Sequence, residues 1–447
     1  MEWKKFKDTV FALAKKKGFD EAEIYYSSGS EFQLSSLRGE IDSYNDATSL
    51  GVYFRGLKSG KIGASFAEEL TDETASMLVD EAFENYSIAS GNDVYFLHDG
   101  SGEYPQFEGF SGAFSAQPVV EKIERVIALE RSALEYDKRI IMVPTCRLGD
   151  SRSEVFIVNT LGLDRHYSSD GGVAVVVALA GEGDSKKTGF TFKIAREPGD
   201  IDVSALGKEA SKRAIDQLGA GRVKSGKYRV LFRNDMFGQL FATFTSMYSA
   251  ENVQKGLSII AGKEGTKIAS ELLTVYDDPL LPISPNSRPF DDEGVPTVKK
   301  TLVENGVLKT FLYDLKTAAK AGTKSTGNAI KSSYRAKPSI SMINTVIQPG
   351  EKSFNTLVSE MDEGIVVTEL TGLHSGANPI SGEFSLGASG FYVKNGSIVN
   401  PVEQFTISSS ILKVYNSIVA IGSDAMPSIF RVSSPSVVVS EMDVASE

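Results

Sequence analysis

The amino-acid sequence predicts an α+β protein, with two related α+β N-terminal units of mostly antiparallel sheet followed by a β-rich C-terminal domain with a few helices. Three observations carry this. The order helix, strands, helix runs twice before residue 222. The strand-like runs are short and separated by Gly, Ser and Asn, which suits hairpins. After Lys227 helices thin out, and two Asn-Gly pairs each separate two strand-like runs. At ~150 residues per domain, the 447 residues divide as 1–105, 106–222 and 223–447.

Trp3, Phe6, Val10, Leu13 and Ala14 recur at spacings of three and four, the mark of an amphipathic helix, which Gly18 ends. Strand candidates follow at Glu23–Tyr26, Phe32–Leu37, Ile41–Asn45, Gly51–Arg55 and Ile62–Ala67, with turns expected at Ser28-Gly29, Gly39 and Lys58-Ser59-Gly60. A helix from about Asp72 to Asn85 closes the first unit, with acidic residues in its first turn. Residues 89–118, rich in Gly, Ser and aromatics, read as a linker or irregular crossover. The second unit opens with Val119, Ile123, Val126, Ile127 and Leu134 on one helical face. Its strand candidates are Ile140–Pro144, Glu154–Asn159, Asp164–Ser168, Gly172–Ala180 and Gly189–Ala195, and its closing helix is about Val203 to Leu218.

In the third region Tyr228–Phe232 reads as a strand, and Met236 to Tyr248 as a helix with a broad apolar face. Asn305-Gly306 and Asn395-Gly396 fit two-residue hairpin turns, which need the positive φ that Asn and Gly tolerate. Further helices are expected from Asp314 to Gly322, Phe354 to Asp362 and Ser408 to Ile421, with a last strand at Ser436–Met442.

Composition narrows the function. A formal charge of −11 argues against a dedicated nucleic-acid binder, which shows a basic footprint. Cys146 is the single cysteine, so neither an intrachain disulfide nor a cysteine zinc cage can form. His98, His166 and His374 lie far apart, and no H-E-x-x-H is present. The first 17 residues interleave lysines with apolar residues and lack a signal-peptide core. The longest apolar run, Val173 to Ala180, is far short of the ~20 residues a membrane helix needs. A cytoplasmic protein is expected.

Three stretches are candidates for chemistry. Asn234-Asp235-Met236-Phe237-Gly238-Gln239 stands at a strand-to-helix junction, where Asn234 or Asp235 suits a helix cap. Asp291, Asp292 and Glu293, bounded by Pro289 and Gly294-Val295-Pro296, form a stiff acidic turn. Such a turn can hold a hard cation, share a proton as an acid/base pair, accept N–H groups of an extended peptide, or pair with Arg288 or Arg335. The third pairs Lys324-Ser325-Thr326-Gly327-Asn328 with the Gly-rich loop around His374, a candidate binding residue. Neither is a phosphate-binding loop.

Several motifs in order resemble the TldD/PmbA (TldE) family: Phe290-Asp291-Asp292-Glu293-Gly294-Val295-Pro296, Glu304-Asn305-Gly306-Val307-Leu308, Ser325-Thr326-Gly327-Asn328, Gly387-Ala388-Ser389-Gly390-Phe391 and Val419-Ala420-Ile421-Gly422-Ser423-Asp424. The resemblance spans nearly the whole chain. It implies a family once described as modulators of DNA gyrase and later linked to peptide proteolysis. The TldD branch carries H-E-x-x-x-H on the helix after the first strand of the last domain, and a late Cys completes its zinc site. Here the matching residues are Asn234, Asp235 and Gln239, and no Cys follows Cys146. Asn and Gln are poor zinc ligands beside imidazole and thiolate.

The resemblance therefore implies the PmbA/TldE branch: no metal and no cofactor in this chain, and zinc only in a TldD-type partner. It further implies a heteromeric peptidase acting on unstructured peptides, with a homodimer as the other possible assembly. Two other functions remain open from the residues: a self-sufficient hydrolase using Asp291, Asp292 and Glu293, and a non-proteolytic modulator that binds gyrase or another protein.

Overall fold

Helix α1 (Trp3–Lys17) buries Phe6, Val10 and Ala14, one residue per turn, and ends at Gly18. It precedes a meander of β1 (Glu21–Leu37), β2 (Glu40–Lys58) and β3 (Lys61–Ala67), closed by α2 (Asp72–Ile88). The second unit repeats the order as α3 (Val119–Leu134), β4 (Ile140–Asn159), β5 (Asp164–Glu182), β6 (Ser185–Ala195) and α4 (Val203–Asp216). The computed structural model describes residues 1–88, 93–282, 284–427 and 431–446. Of the expected crossover, residues 89–92 lie outside the described ones; 93–112 run without regular structure into a single helical turn, Ala113–Ala116.

The two units share one antiparallel sheet, in the order β3-β2-β1-β4-β5-β6. β1, β2, β4 and β5 each span what the sequence suggested were two strands. Ser28-Gly29, expected as a turn, instead lies in mid-strand, paired with Leu50 and Ser49 on one side and Glu154 and Ser153 on the other. The physical reason is local. Ser28 and Ser30 line an open groove, not a core, so the apolar alternation that marks a strand is missing there.

One face of the sheet is covered by helices. Phe6, Val10, Leu78 and Ala82 pack on Ile24, Val52 and Phe54 in the first unit. Val126, Leu129, Ala210 and Ala214 pack on Leu148, Val176 and Ala178 in the second. Strand alternation then turns Glu23, Tyr25, Tyr53 and Arg55 to the opposite face. Tyr25, Tyr53, Ile157 and Tyr167 there meet Phe290 of the C-terminal domain.

The C-terminal domain is built on β7 (Gly226–Phe232), α5 (Asn234–Thr243), α6 (Leu315–Ala321), α7 (Phe354–Ser359), β8 (Gly364–Thr371), β9 (Glu383–Lys394), β10 (Ser397–Ser410) and β11 (Val437–Ser446). The sheet runs β10-β9-β8-β7-β11 and closes on itself, because β10 also pairs with β11 from Phe405↔Ser446 to Ser408↔Asp443. Only β7 and β8 are parallel within it. Inside the barrel Val230, Phe232, Ile365, Leu386 and Ile407 pack around Phe237 and Phe241 of α5. On the outside, Leu231, Val366 and Val438 are covered by Leu357 and Val358 of α7 and by Met361 just after it.

Both Asn-Gly hairpins form, with φ of 48° and 79° at Asn305-Gly306 and 50° and 69° at Asn395-Gly396. Two helices differ from expectation. The one after β7 stops at Thr243 and continues as a 3-10 turn, Thr245–Tyr248. Ser408–Ile421 is not one helix: β10 runs to Ser410, a short helix covers Ile411–Asn416, and Ile418–Ile421 is a strand on β11. Barrel closure decides this, since Phe405 and Ile407 point inward and need the β spacing.

Candidate functional site

Strand β7 delivers the chain to α5 through Arg233, which is the N-cap residue and makes no side-chain cap. Neither Asn234 nor Asp235 is the N-cap residue, but Asn234 Oδ1 accepts the first-turn N–H of Asp235 at 2.7 Å. Asn234 also donates from Nδ2 to the backbone carbonyl of Asp424 at 2.8 Å. Asp235 is buried and held by two arginines. Arg233 grips it in a fork, Nε to Oδ1 and Nη2 to Oδ2, each at 2.6 Å. Arg213 of α4 adds Nη1 to Oδ2 at 3.3 Å. Arg233 also donates to the carbonyl of Thr368 at 2.9 Å, and Arg213 to that of Phe190 at 3.0 Å. A bidentate charge-assisted fork of this kind is among the strongest side-chain pairings. Gln239, about one and a half turns along α5, lines a cavity of about 680 Å³ together with Arg213, Arg233, Thr368 and Asn400. That cavity lies between α4 and the barrel.

The acidic turn is elsewhere, where the C-terminal domain meets the N-terminal sheet. All three carboxylates are buried. Asp291 Oδ1 accepts from the N–H groups of Glu293 and Val295, both at 3.0 Å, and Oδ2 from that of Ala329 at 2.9 Å. Asp292 accepts from Lys331 N at 2.6 Å and from Arg288 Nη1 at 3.2 Å. Glu293 accepts from Leu315 N at 2.9 Å and from Arg55 Nη1 at 3.4 Å. Burial, then the charge of Glu293, pushes the Asp291 carboxyl well above the usual range, against the pull of its three N–H donors. Burial likewise raises Glu293, against the pull of Arg55. Of the two arginines the sequence offered as partners, Arg288 takes up the role. Arg335 does not: it pairs with Glu68, which also accepts from the Tyr334 hydroxyl.

Glu23 and Arg55 stand opposite each other in the β1–β2 register, on the face turned to this junction. They pair at 2.6 Å, with both side chains buried. Asn159 of β4 donates to Glu23 at 3.2 Å, so the same carboxylate ties the two units together. Lys331 lies over the Tyr53 ring at 3.2 Å and donates to the carbonyl of Ala336 at 2.6 Å. Burial, then the charge of Arg55, brings its ammonium down to about 7. Glu293 and Arg55 also line a second cavity, of about 760 Å³.

Of the remaining candidates, His374 and Cys146 are apart from both places, while the stretch at residues 325–328 runs beside the acidic turn. His374 is exposed in the turn from Gly372 to Gly376. Cys146 is buried in the second unit, and burial pushes its thiol up to about 12, an inert state for a cysteine. Asn328 is fully buried and braces the fold: it donates to Asp277 at 2.8 Å and accepts from Lys300 at 2.8 Å. The arginines that hold these carboxylates escaped sequence reasoning. Arg233 was within reach, two residues from Asp235. Arg55 was not, because it meets Glu293 across 238 positions.

A closed barrel behind a duplicated antiparallel unit, with an acidic turn at their junction, defines the class. Residues 22–85, 113–218 and 225–446 match in turn the models of PmbA/TldA metallopeptidase domain 1, central domain and C-terminal domain. The chain belongs to the PmbA/TldD family. It is similar to a candidate modulator of a DNA gyrase from Thermotoga maritima, with 40% identity and a TM-score of 0.92 over 99% of this chain and 100% of that one. It is also similar to TldE of Thermococcus kodakarensis, with 25% identity and a TM-score of 0.90 over 98% and 100% of the two chains. The metalloprotease PmbA of Escherichia coli O157:H7 is 26% identical, with 98% of this chain and 95% of that one covered. Proteins named as TldD homologues are among the relatives too. No helix among the described residues is long and apolar enough to cross a membrane.

Proposed function

We propose that this chain is the subunit without its own zinc site in a TldD/TldE-type peptidase. It pairs with a TldD-type partner, which carries the zinc, and helps that partner act on unstructured peptides. The observation that carries the reading is the state of Asp235. Where the TldD branch has its ligand helix, the one acid left here has both oxygens taken by guanidinium groups. A cation cannot displace the partly buried Arg233 fork without leaving that guanidinium unpaired, which costs several kcal/mol. Asn234 is likewise committed through its amide to Asp424. The residues at this place do not fit zinc. They fit a cleft wall of fixed charge, Asp235 and Glu209 set against Arg233 and Arg213, with Gln239, Asn400 and Thr368 as neutral polar groups beside it.

The reading as a self-sufficient hydrolase has less support. A carboxylate that works on substrate needs free lone pairs facing it, and those of Asp291 and Asp292 are occupied by backbone N–H groups and Arg288. Elemental analysis of the purified chain tests the proposal. Substoichiometric zinc that washes out on dialysis is expected; one tightly held zinc per chain would overturn it.

A further inference from the structure

Strand β2 is paired on both sides along only part of its length. β1 takes the whole strand, while β3 takes Val52 to Lys58. The two-residue turn Ser59-Gly60, with φ of 51° and 74°, makes Lys58↔Lys61 a hydrogen-bonded pair. Even-numbered residues of β2 therefore turn their N–H and C=O groups away from β1. Odd-numbered Leu57 accordingly accepts from Asp20 N on the β1 side, at 2.8 Å. For Tyr44, Asp46, Thr48 and Leu50 the outward groups have no strand partner among the described residues. Residues 42–49 are all exposed. Such an edge is a template for another strand, and proteins blunt it with Pro, Lys, a bulge or a cover. Residues 43–51 hold no Pro and no Lys, and the one bulge lies before Ser43.

The second unit shows what this edge takes. Gly172 is where β6 begins to pair with β5, as Val52 is for β3 and β2. Two residues earlier, at the place of Leu50, Asp170 donates its N–H to the carbonyl of Gly109 at 3.0 Å. Its carboxylate accepts from the N–H groups of Ser111 and Gly112, both at 2.8 Å. There the chain's own crossover lies against the edge. At β2 the same place is a groove of about 720 Å³, lined by Thr48, Ser49, Leu50, Glu68 and Tyr334 where β3 leaves off.

We propose that the edge of β2 from Ser43 to Leu50 takes an added β-strand from another protein, an extended segment with Lys or Arg at alternate positions. The outward backbone groups supply affinity without regard to sequence. Charge selects the partner. Glu31, Glu40, Asp42 and Asp46 are exposed along β1 and β2 and make no ion pair among the described residues. Arg38 is the exposed cation in the turn between these strands, and Arg147 and Arg152 stand on β4, beyond β1. Tyr44, Asp46, Thr48 and Leu50 share one face of the sheet, which suits basic residues at every second position. A second copy of this chain fits less well, because antiparallel pairing of two such edges brings two acidic sets together. The inference does not depend on the proposed function.

The test uses the full chain and two acetylated, amidated, dye-labelled heptapeptides, Thr-Lys-Val-Lys-Val-Lys-Thr and its Glu-for-Lys counterpart. Fluorescence anisotropy reads affinity, and hydrogen exchange reads the place. The Lys form is expected to bind and to slow exchange in residues 43–51, with the Glu form several-fold weaker. Thr48→Pro removes an outward N–H and spares the β1–β2 ladder. Affinity should fall about fivefold or more, while the unfolding midpoint stays near the parent's, as an edge strand tolerates Pro. Asp46→Lys leaves the backbone alone and should weaken the Lys form several-fold. No binding of the Lys form, or binding that Thr48→Pro leaves unchanged, would overturn the proposal. Equal affinity for the two peptides, unmoved by Asp46→Lys, would overturn the basic partner. A chain that sediments as a dimer with residues 43–51 already protected, and as a monomer with Thr48→Pro, would give the edge to a second copy and overturn it too.

Discussion

Asp292→Ala is expected to destabilise the chain by about 3–5 kcal/mol, the range for breaking a buried ion pair from one side. Asp292 is 2% exposed, and its carboxylate serves Arg288 and Lys331 N together. Removing it leaves a buried guanidinium and a backbone donor without acceptors. The double variant Asp292→Ala/Arg288→Met should recover part of the loss, because the stranded charge is gone and an apolar side chain replaces it. Guanidinium unfolding of the three proteins measures both. A single-variant loss under about 1 kcal/mol would mean that the turn is solvated and free to act on a ligand. The turn is where the C-terminal domain grips the N-terminal sheet, so its loss should loosen the walls of the cavity that Glu293 and Arg55 line.

Gly390→Ala is expected to cost at least ~3 kcal/mol, above the usual range for overpacking. A Cβ at this position would lie 1.8 Å from the carbonyl oxygen of Val366 and 2.8 Å from its carbon. Those atoms are backbone of β8, which pairs with β9 at Val367↔Gly390. No rotamer change relieves the clash; β8 and β9 must separate, and the barrel with them. The unfolding midpoint and the near-ultraviolet circular dichroism of the variant would show it. A variant with the parent's midpoint would mean that the barrel is not closed as described.

What was legible in the sequence follows physical lines. Helices with one buried stripe were readable because apolar residues repeat at the helical period. Phe6, Val10 and Ala14 are the buried ones in α1. In α3 the face read from Val119, Ile123, Val126, Ile127 and Leu134 centres on buried Val126, with Leu129 and Ala133 completing it. The Asn-Gly turns were readable because few residues accept positive φ. Strand length was not. Ser28 and Ser30 are held in mid-strand by pairing on both sides, and backbone hydrogen bonds leave no trace in side-chain polarity. The end of β10 was misread for a related reason: its partner, β11, is more than thirty residues further on.

The candidate sites divide the same way. Pro289 and Gly294 marked a stiff turn at Asp291, Asp292 and Glu293. Where its carboxylates point was decided by Ala329, Lys331 and Leu315, far away in sequence. Asn234, Asp235 and Gln239 stood out at the strand-to-helix junction, yet the arginine from α4 that completes the clamp on Asp235 did not.

The central claim is that this chain contributes to proteolysis only through a metal-bearing partner. The most direct measurement is hydrolysis of a flexible fluorogenic peptide by the purified chain, by a TldD-type homologue from the same source, and by the two mixed. The account predicts no turnover by this chain alone and chelator-sensitive turnover by the mixture well above that of the homologue alone. Chelator-sensitive hydrolysis by this chain alone, or a mixture no faster than the homologue, would contradict it.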